Sequence, residues 1–339
     1  MAIIDDPTAV FQCTLYTGNG GTQSITNTGN SNLQPNLTWI KARSATTDNQ
    51  VFDSVRGTGK LLVSNTTDGE YSGSNLLTAF NSNGFSLGDH APLNGNGVTF
   101  VSWNWKEQAG VFDVVGYTGN GNARTISHNL GSVPKFMICK DRNNVKNWGT
   151  YHVAIGPGSD AGYLNNTVVP EANTNFWNNT APTASVFSVG TDNTYNGNGI
   201  PYIIYLFGDS SMSKCGSYTG LGGTNYPFIY TGFKPAFVMA KRTNATSNWV
   251  IYDNKRQYSL IEGQYNPQRP RLTSNINDAE SSFTSDNGVD LVSNGFVVRD
   301  NSNDAYTINI SGSNYIYIAF AESPFVTSTD NGSIPACAR

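Results

Sequence analysis

The sequence is poor in charged residues. Asp, Glu, Lys and Arg make up 13% of its 339 residues, where about 25% is usual in soluble domains. The net charge is -4, and the 20 Lys and Arg residues form no basic block of the kind that neutralises phosphates. We therefore expect no nucleic-acid partner. Aromatic residues reach 12%, so Asn, Ser, Thr and Gly have to supply most of the polar surface.

Cysteine and long apolar runs are also scarce. The four cysteines, Cys13, Cys139, Cys215 and Cys337, lie far apart and without CxxC or His-rich spacing. This argues against a metal site and indicates free thiols of a protein made in a cytoplasm. No apolar stretch approaches 18 residues, and the N-terminus lacks a basic segment followed by an apolar one. We expect neither membrane insertion nor a signal peptide, and no cofactor.

Motifs of catalysis are missing as well. The three histidines, at positions 90, 128 and 152, are not accompanied by a Ser or Cys nucleophile motif. The Gly-Asn-Gly strings lack the Lys-Ser/Thr of a phosphate-binding loop, and the Glu-x-Asp-x-x-Glu string of sandwich glycosidases does not occur. The acidic run Asp300–Asp304 has the composition of a calcium loop, but we interpret it as a solvated turn. The sequence indicates a protein that is not an enzyme.

Internal repetition is the strongest pattern in the chain. Tyr16-Thr17-Gly18-Asn19-Gly20 recurs as Tyr117-Thr118-Gly119-Asn120-Gly121 and, with leucine in place of asparagine, as Tyr218-Thr219-Gly220-Leu221-Gly222, with 101 residues between successive tyrosines. This period is too long for a solenoid repeat and matches a whole domain. We predict three domains, at residues 1–108, 109–211 and 212–339, the third with an enlarged loop. The junctions between them are short, so neighbouring domains should touch.

The fold class follows from the segments between these landmarks. They are short alternating or β-branched and aromatic runs bounded by Asn-Gly, Gly-Asn and Asp-Gly pairs, which are typical of strands and hairpin turns. Helical periodicity is essentially absent. We predict an all-β protein of three tandem antiparallel β-sandwich domains of jelly-roll type.

A lysine recurs in the strand that follows each repeat proline, as Lys41, Lys140 and Lys241. Twelve residues later come Asp53, His152 and Asp253, a separation that a strand-turn-strand hairpin brings face to face. We predict Lys41–Asp53 and Lys241–Asp253 ion pairs. Their recurrence in two copies favours a structural role over a catalytic one. The middle lysine needs another partner.

Two variable segments carry the candidate ligand-binding residues. The third copy has an insertion of about eleven residues within positions 262–286, which holds Tyr265, Arg269 and Arg271. The middle copy diverges around Trp177 and Asn178, an aromatic beside amides, the surface that sugars favour. The alternative for Trp177 is a packing anchor.

The first copy resembles a known family. It contains Met1-Ala2-Ile3-Ile4-Asp5-Asp6-Pro7, Trp39-Ile40-Lys41-Ala42-Arg43, Phe52-Asp53-Ser54-Val55-Arg56-Gly57 and Asn83-Gly84-Phe85. These strings resemble a repeat domain of predicted virion proteins of marine bacteriophages, for which a lectin-like, concanavalin-type sandwich is implied. The Phe-Asp-x-x-Arg-Gly string is degraded in the second copy and survives in the third as Tyr252-Asp253-Asn254-Lys255-Arg256.

The resemblance implies a structural protein of a bacteriophage virion, synthesised in the host cytoplasm. We expect a tail fibre or similar appendage that adheres to the host surface. A head decoration or capsid-fibre protein is the alternative within this class, and a carbohydrate-active enzyme of sandwich fold is the alternative from another class. The expected partners are other virion proteins, further copies of the chain in a homo-oligomer, taken as a trimer, and a host surface glycan.

Overall fold

The computed structural model of the protein describes residues 6–160, 162–256, 268–281, 288–300, 304, 306–324, 326–329 and 332–335. These residues form an all-β protein of antiparallel sheets, as the sequence predicts. The helical elements among them are the 3-10 turn η1 (Pro7–Ala9) and two four-residue helices, α1 (Ala91–Asn94) and α2 (Asn193–Asn196). Within this described part, no helix is long and apolar enough to span a membrane.

The first repeat contains nine strands in two sheets. A six-stranded sheet has the order β1-β9-β3-β4-β5-β6, and a three-stranded sheet has the order β2-β8-β7. The strand bounds are β1 Phe11–Thr17, β2 Gln23–Thr26, β3 Leu37–Ala42, β4 Gln50–Asp53, β5 Lys60–Val63, β6 Tyr71–Ser72, β7 Leu77–Asn81, β8 Gly84–Leu87 and β9 Thr99–Trp105.

The second repeat has the same central strand order in its large sheet, β10-β17-β12-β13, with β11-β16 and β14-β15 as separate pairs. Its strands are β10 Phe112–Thr118, β11 Arg124–Ser127, β12 Phe136–Asp141, β13 Gly149–His152, β14 Ser159–Asp160, β15 Glu171–Ala172, β16 Val186–Val189 and β17 Pro201–Phe207.

The third repeat follows this order again. Its large sheet is β18-β25-β20-β21-β22, its small sheet is β19-β24-β23, and β26 pairs with β27. Its strands are β18 Ser213–Thr219, β19 Phe228–Tyr230, β20 Phe233–Arg242, β21 Val250–Asp253, β22 Leu272–Thr273, β23 Val289–Val292, β24 Gly295–Val298, β25 Asn314–Pro324, β26 Val326–Thr329 and β27 Gly332–Pro335.

The central strands of each large sheet are buried on both faces. Every residue of β3 is buried, and because side chains alternate between faces, the strand serves two apolar clusters. Leu37 and Trp39 belong to the largest cluster of the molecule, whereas Ile40 and Ala42 join Phe85 of the small sheet in a second cluster. Burial on both sides explains why these strands read as nearly continuous apolar runs.

The largest apolar cluster draws members from all three repeats. At its centre, the rings of Trp105, Phe207 and Phe320 contact one another, with centroid separations of 6.2, 5.5 and 5.7 Å. Each ring comes from the strand that closes its repeat. The three repeats therefore share one core, while their division at residues 108/109 and 211/212 stays a prediction.

The recurring Tyr-Thr-Gly motif joins the start of each repeat to its end. The Tyr16 hydroxyl donates to the Leu93 carbonyl oxygen at 2.7 Å, and its ring stacks on Phe100 at 5.0 Å. A Cβ atom at Gly18 would lie 2.3 Å from the Gly95 carbonyl oxygen, so only glycine fits there. Tyr117 and Tyr218 make the equivalent hydroxyl contacts. The motif is thus structural.

A buried asparagine clamps the loop that follows this motif. The Asn94 side chain accepts from the Asn19 backbone N–H at 3.0 Å and donates to the carbonyl oxygen of Gly88 at 3.1 Å. Asn196 and Asn309 accept from the corresponding loops of their own repeats. These amides are buried and hydrogen-bonded, as buried polar groups usually are. The loop shape is therefore fixed by the same device in every repeat.

Candidate functional site

The predicted Lys41–Asp53 ion pair is wrong. In the β3-β4 register Asp53 lies opposite Leu37, four residues from Lys41. The Lys41 ammonium instead donates to the carbonyl oxygens of Ala42 at 3.3 Å and Asn277 at 3.1 Å.

The predicted Lys241–Asp253 pair is wrong for the same reason, since Asp253 lies opposite Phe237. The Lys241 ammonium donates to the carbonyl oxygens of Ser247 at 2.9 Å and Thr167 at 3.1 Å. Lys140 of the middle copy donates to those of Asp141 at 2.8 Å and Thr67 at 3.2 Å.

Lys41, Lys140 and Lys241, hereafter the interface lysines, connect the repeats in one cyclic order. The first repeat donates to a loop of the third, the third to a loop of the second, and the second to a loop of the first. All three residues are 0% exposed, and burial lowers the pKa of each to about 8. Their ammonium groups therefore serve as hydrogen-bond donors to backbone carbonyl oxygens inside the molecule.

The acids at the next repeated position pair with arginine. Asp53 accepts from Arg56 Nε at 2.5 Å and from the Tyr205 hydroxyl of the second repeat at 2.7 Å. The side chains of Asp53 and Arg56 are both 0% exposed. A buried charge requires a partner and further hydrogen bonds. Asp53 finds them in its own repeat and in the neighbouring one, and so links the two.

The third repeat contains the same arrangement. Asp253 accepts from Arg256 Nε at 2.6 Å and from the Trp103 indole N–H of the first repeat at 2.9 Å. Burial by itself disfavours the charged form of Asp253, but the Arg256 guanidinium outweighs this effect and lowers the pKa of the carboxyl group. A buried aspartate and arginine, together with a donor from the neighbouring repeat, therefore join this interface as well. We call this set of acid, arginine and neighbouring donor the lock.

The second repeat replaces the whole lock. His152 takes the place of the acid, and Ile155 stands where the other repeats have arginine. Ile318 of the third repeat takes the position that Tyr205 and Trp103 occupy elsewhere, as the strand registers show. His152 Nε2 lies 3.2 Å from the Tyr317 carbonyl oxygen, and burial lowers its pKa to about 4. Acid, arginine and neighbouring donor have changed together.

The interpretation of Trp177 as a ligand platform is wrong. Trp177 is 1% exposed, and its ring contacts those of Tyr195 at 4.5 Å and Tyr151 at 6.0 Å within the core of the second repeat. The packing alternative is confirmed. Asn178 beside it is exposed and has a left-handed backbone with φ 52°.

The predicted arginines of the third repeat are also buried. Arg269 is 7% and Arg271 9% exposed. The Arg271 guanidinium lies 4.0 Å from the ring centroid of Tyr306 and 3.5 Å from Asp304 Oδ2. Tyr265 lies outside the described residues. The predicted ligand-binding residues are therefore divided between two repeats, and those described in the third are packed inside it.

The acidic run is partly described. Asp300 is 0% exposed and accepts from the Ile308 backbone N–H at 3.1 Å. Residues 301–303 lie outside the described part. Among the residues that the structure describes, no group of three or more His, Cys, Asp or Glu side chains is placed to hold a metal ion.

One surface of the third repeat displays aromatic side chains to solvent. Phe228 is 51% and Tyr230 60% exposed, while Ile229 between them is 6% exposed. They belong to β19, the edge strand of the small sheet. Tyr226 precedes them by two residues and is half-buried. We call Tyr226, Phe228 and Tyr230 the aromatic face.

The other repeats have hydroxyl groups in the equivalent places. Ile229 pairs with Phe296 in the same way that Ile25 pairs with Phe85 and Ile126 with Phe187. The positions of Phe228 and Tyr230 are therefore held by Ser24 and Thr26 in the first repeat and by Thr125 and Ser127 in the second. All four hydroxyl-bearing residues are exposed. Only this small sheet exposes aromatics at these two positions.

Three described residues next to the aromatic face are a glycine, an ion-paired arginine and an asparagine. A Cβ atom at Gly295 would lie 3.1 Å from Phe228 Cε2, so this ring covers a glycine of the neighbouring strand. The Arg299 guanidinium lies 5.5 Å from the ring centroid of Tyr226 and is ion-paired with Asp290. Asn225 is exposed at one end of the face.

Sequence reasoning missed the aromatic face. The signal was present in the alternation Tyr226-Pro227-Phe228-Ile229-Tyr230, which resembles a half-buried strand with its aromatics on one side. Two of its three residues lie on the outer side, a placement that this pattern does not reveal without knowledge of the sheet.

The comparisons with known proteins add a family. A family model described as "Domain of unknown function (DUF7483)" matches residues 6–324. The match runs through all three repeats. No curated protein matches the chain.

Proposed function

This chain belongs to the DUF7483 family, and on that premise we propose that its three repeats act together as one structural, surface-binding module of a bacteriophage particle. We place it in a tail fibre or comparable appendage that adheres to the host envelope. The particle is suggested by the resemblance of the first repeat to virion repeat domains. A family unit that spans three repeats supports one joint role for them.

One observation carries the structural role. The repeated polar residues, which are the natural candidates for chemistry in a repeat protein, are buried and used between repeats. Asp53 and Asp253 are 0% and 1% exposed, and each binds its own arginine and a donor from a neighbouring repeat. A hydrolase of sandwich fold needs two carboxyl groups beside its substrate. These carboxylates instead hold neighbouring repeats together, which favours a binding protein over an enzyme.

Each repeat is proposed to be a β-sandwich of lectin type. The cluster formed by Ile40 and Phe52 of the large sheet with Ile25 and Phe85 of the small sheet supports a two-layer arrangement in the first repeat. We propose other virion proteins and further copies of the chain as its partners. A closed arrangement of three repeats is compatible with a homotrimer about a common axis.

Immunogold electron microscopy of purified particles tests the location. Antibodies against the full chain should label the tail. Label on the head would support a decoration or capsid-fibre protein instead, and particles without any label would refute the virion role. Adhesion is tested separately, by incubating the labelled full chain with host cells and with cells stripped of surface polysaccharide. Equal binding to both would refute adhesion through glycans.

A further inference from the structure

We infer that the aromatic face of the third repeat binds a neutral oligosaccharide, by stacking of sugar rings on Phe228 and Tyr230. The inference rests on the proposed adhesive function and names its site, its ligand class and its number of sites per chain. The two exposed positions of this edge strand are aromatic in one repeat and carry hydroxyl groups in the other two.

Stability does not explain these aromatics. Ser24 and Thr26 occupy the same exposed places in a sheet of the same order, and Ser24 shares a hydrogen bond with Ser86 of the neighbouring strand. Small hydroxyl residues are therefore sufficient for this edge. Phe228 and Tyr230 leave half or more of their surface in water, a placement that gains little from burial. Exposed aromatics grouped on one face are characteristic of binding surfaces.

The size of the face favours a small ligand over a protein. Aromatic side chains have about 150–250 Å² of surface each, so the exposed parts of the two rings amount to roughly 200 Å². A stable protein interface needs about 800 Å² on each partner. The face is therefore too small to hold a second copy of the chain by itself. Its two rings, separated by one residue along a strand and so about 7 Å apart, are close enough to contact one oligosaccharide together.

The chemistry of the face favours a neutral sugar. None of its three residues carries a charge, and the adjacent Arg299 is neutralised by Asp290. Among the described residues, the arginine next to the face is therefore already paired and offers no free charge to an acidic glycan. The exposed amide of Asn225 lies one residue before Tyr226, where it can exchange hydrogen bonds with sugar hydroxyls. The apolar side of a pyranose ring stacks on the aromatic rings, which hold it without charge.

Titration calorimetry with the full chain tests this inference. The probes are neutral hexasaccharides of glucose, galactose, mannose and N-acetylglucosamine. We expect at least one to bind with a stoichiometry of one per chain. The variant Phe228→Ser/Tyr230→Thr, which copies the first repeat, should bind at least tenfold more weakly, equivalent to about 1.4 kcal/mol. The matched control Ser24→Ala/Thr26→Ala changes the same positions of the first repeat and should leave the affinity unchanged.

The outcomes separate this site from the proposed function. If no probe binds the wild-type chain, the inference is wrong, while the immunogold result on the virion role still stands. If a probe binds the wild type and the Phe228→Ser/Tyr230→Thr variant equally, glycan binding stands and this site is refuted. Light scattering supplies a further check: self-association that the same variant abolishes would identify the face as a contact between copies and refute the inference. Unchanged melting of the variant shows that it is folded.

Discussion

The lock between Asp53 and Arg56 gives the sharpest test of the shared core. Replacing Asp53 with Asn keeps the shape of the side chain and removes its charge. The carboxylate accepts from Arg56 Nε at 2.5 Å, the Arg56 backbone N–H at 2.8 Å and the Tyr205 hydroxyl at 2.7 Å. An amide has one acceptor oxygen, so its NH2 group would face donors and the Arg56 charge would lose its main partner.

The expected loss follows from the burial of both partners. Removing one member of a buried ion pair costs about 3–5 kcal/mol. Glu70 Oε2 lies 3.5 Å from Arg56 Nη1 and retains part of the compensation, so we expect about 3 kcal/mol. With roughly 2.1 cal/mol/K of unfolding entropy per residue, a cooperative unit of the whole chain should melt about 4 °C lower. A single repeat of about 100 residues that unfolded alone would melt about 14 °C lower.

Differential scanning calorimetry distinguishes these cases, and urea denaturation gives the free energy of unfolding. We expect one transition, shifted by the smaller amount. The control is Asp53→Asn/Arg56→Met, which removes both charges. It should cost less than the sum of the two single variants by at least about 1 kcal/mol, because the two residues are coupled. A loss below about 1 kcal/mol for Asp53→Asn, or additive single variants, would refute the reasoning.

Three further predictions concern pH and packing. Because the interface lysines have folded pKa values of about 8, below the usual 10.4, the unfolded chain binds more protons from pH 8 upwards. The free energy of unfolding should therefore rise from pH 8 to 9.5, and Lys140→Met should reduce the slope. The pKa of His152, about 4, predicts the loss of stability as pH falls from 6.5 to 4; a His152→Leu variant with the same acid slope would contradict this. Gly18→Ala should lower the melting temperature, since its Cβ would meet a carbonyl oxygen at 2.3 Å, whereas Gly21→Ala, whose Cβ has its nearest neighbour at 3.8 Å, should not.

The all-β class was predictable from the sequence because period and turn chemistry are local. The face that Lys41 shares with Leu37 and Trp39 also follows from the alternation of side chains. The hydrogen-bond partner of Lys41 does not follow from this alternation. Residues 43–49 form a long connection, so Gln50 pairs with Ile40 and Asp53 pairs with Leu37. A separation of twelve residues brings two side chains face to face only when the turn is centred between them, and here the register differs.

Contacts between repeats could not be read from the sequence. The carbonyl oxygen that Lys41 reaches belongs to Asn277, 236 positions away, and a backbone acceptor has no residue type to recognise. Trp177 shows the same limit, since an aromatic beside two amides has one composition whether it faces solvent or Tyr195. The aromatic face was missed because exposure depends on which side of a sheet is covered.

The differences between the locks of the three repeats bear on how each repeat avoids docking against the wrong neighbour. Three identical interfaces would let a repeat take any of the three positions, in its own molecule or in another copy of the chain. Here His152 lies against the Tyr317 carbonyl oxygen, while each aspartate accepts from its own hydroxyl or indole donor. An exchanged repeat would bury an acid without its donor, which is costly. The divergence of the second repeat thus makes the interfaces different from one another, so that each repeat fits one position in its own molecule.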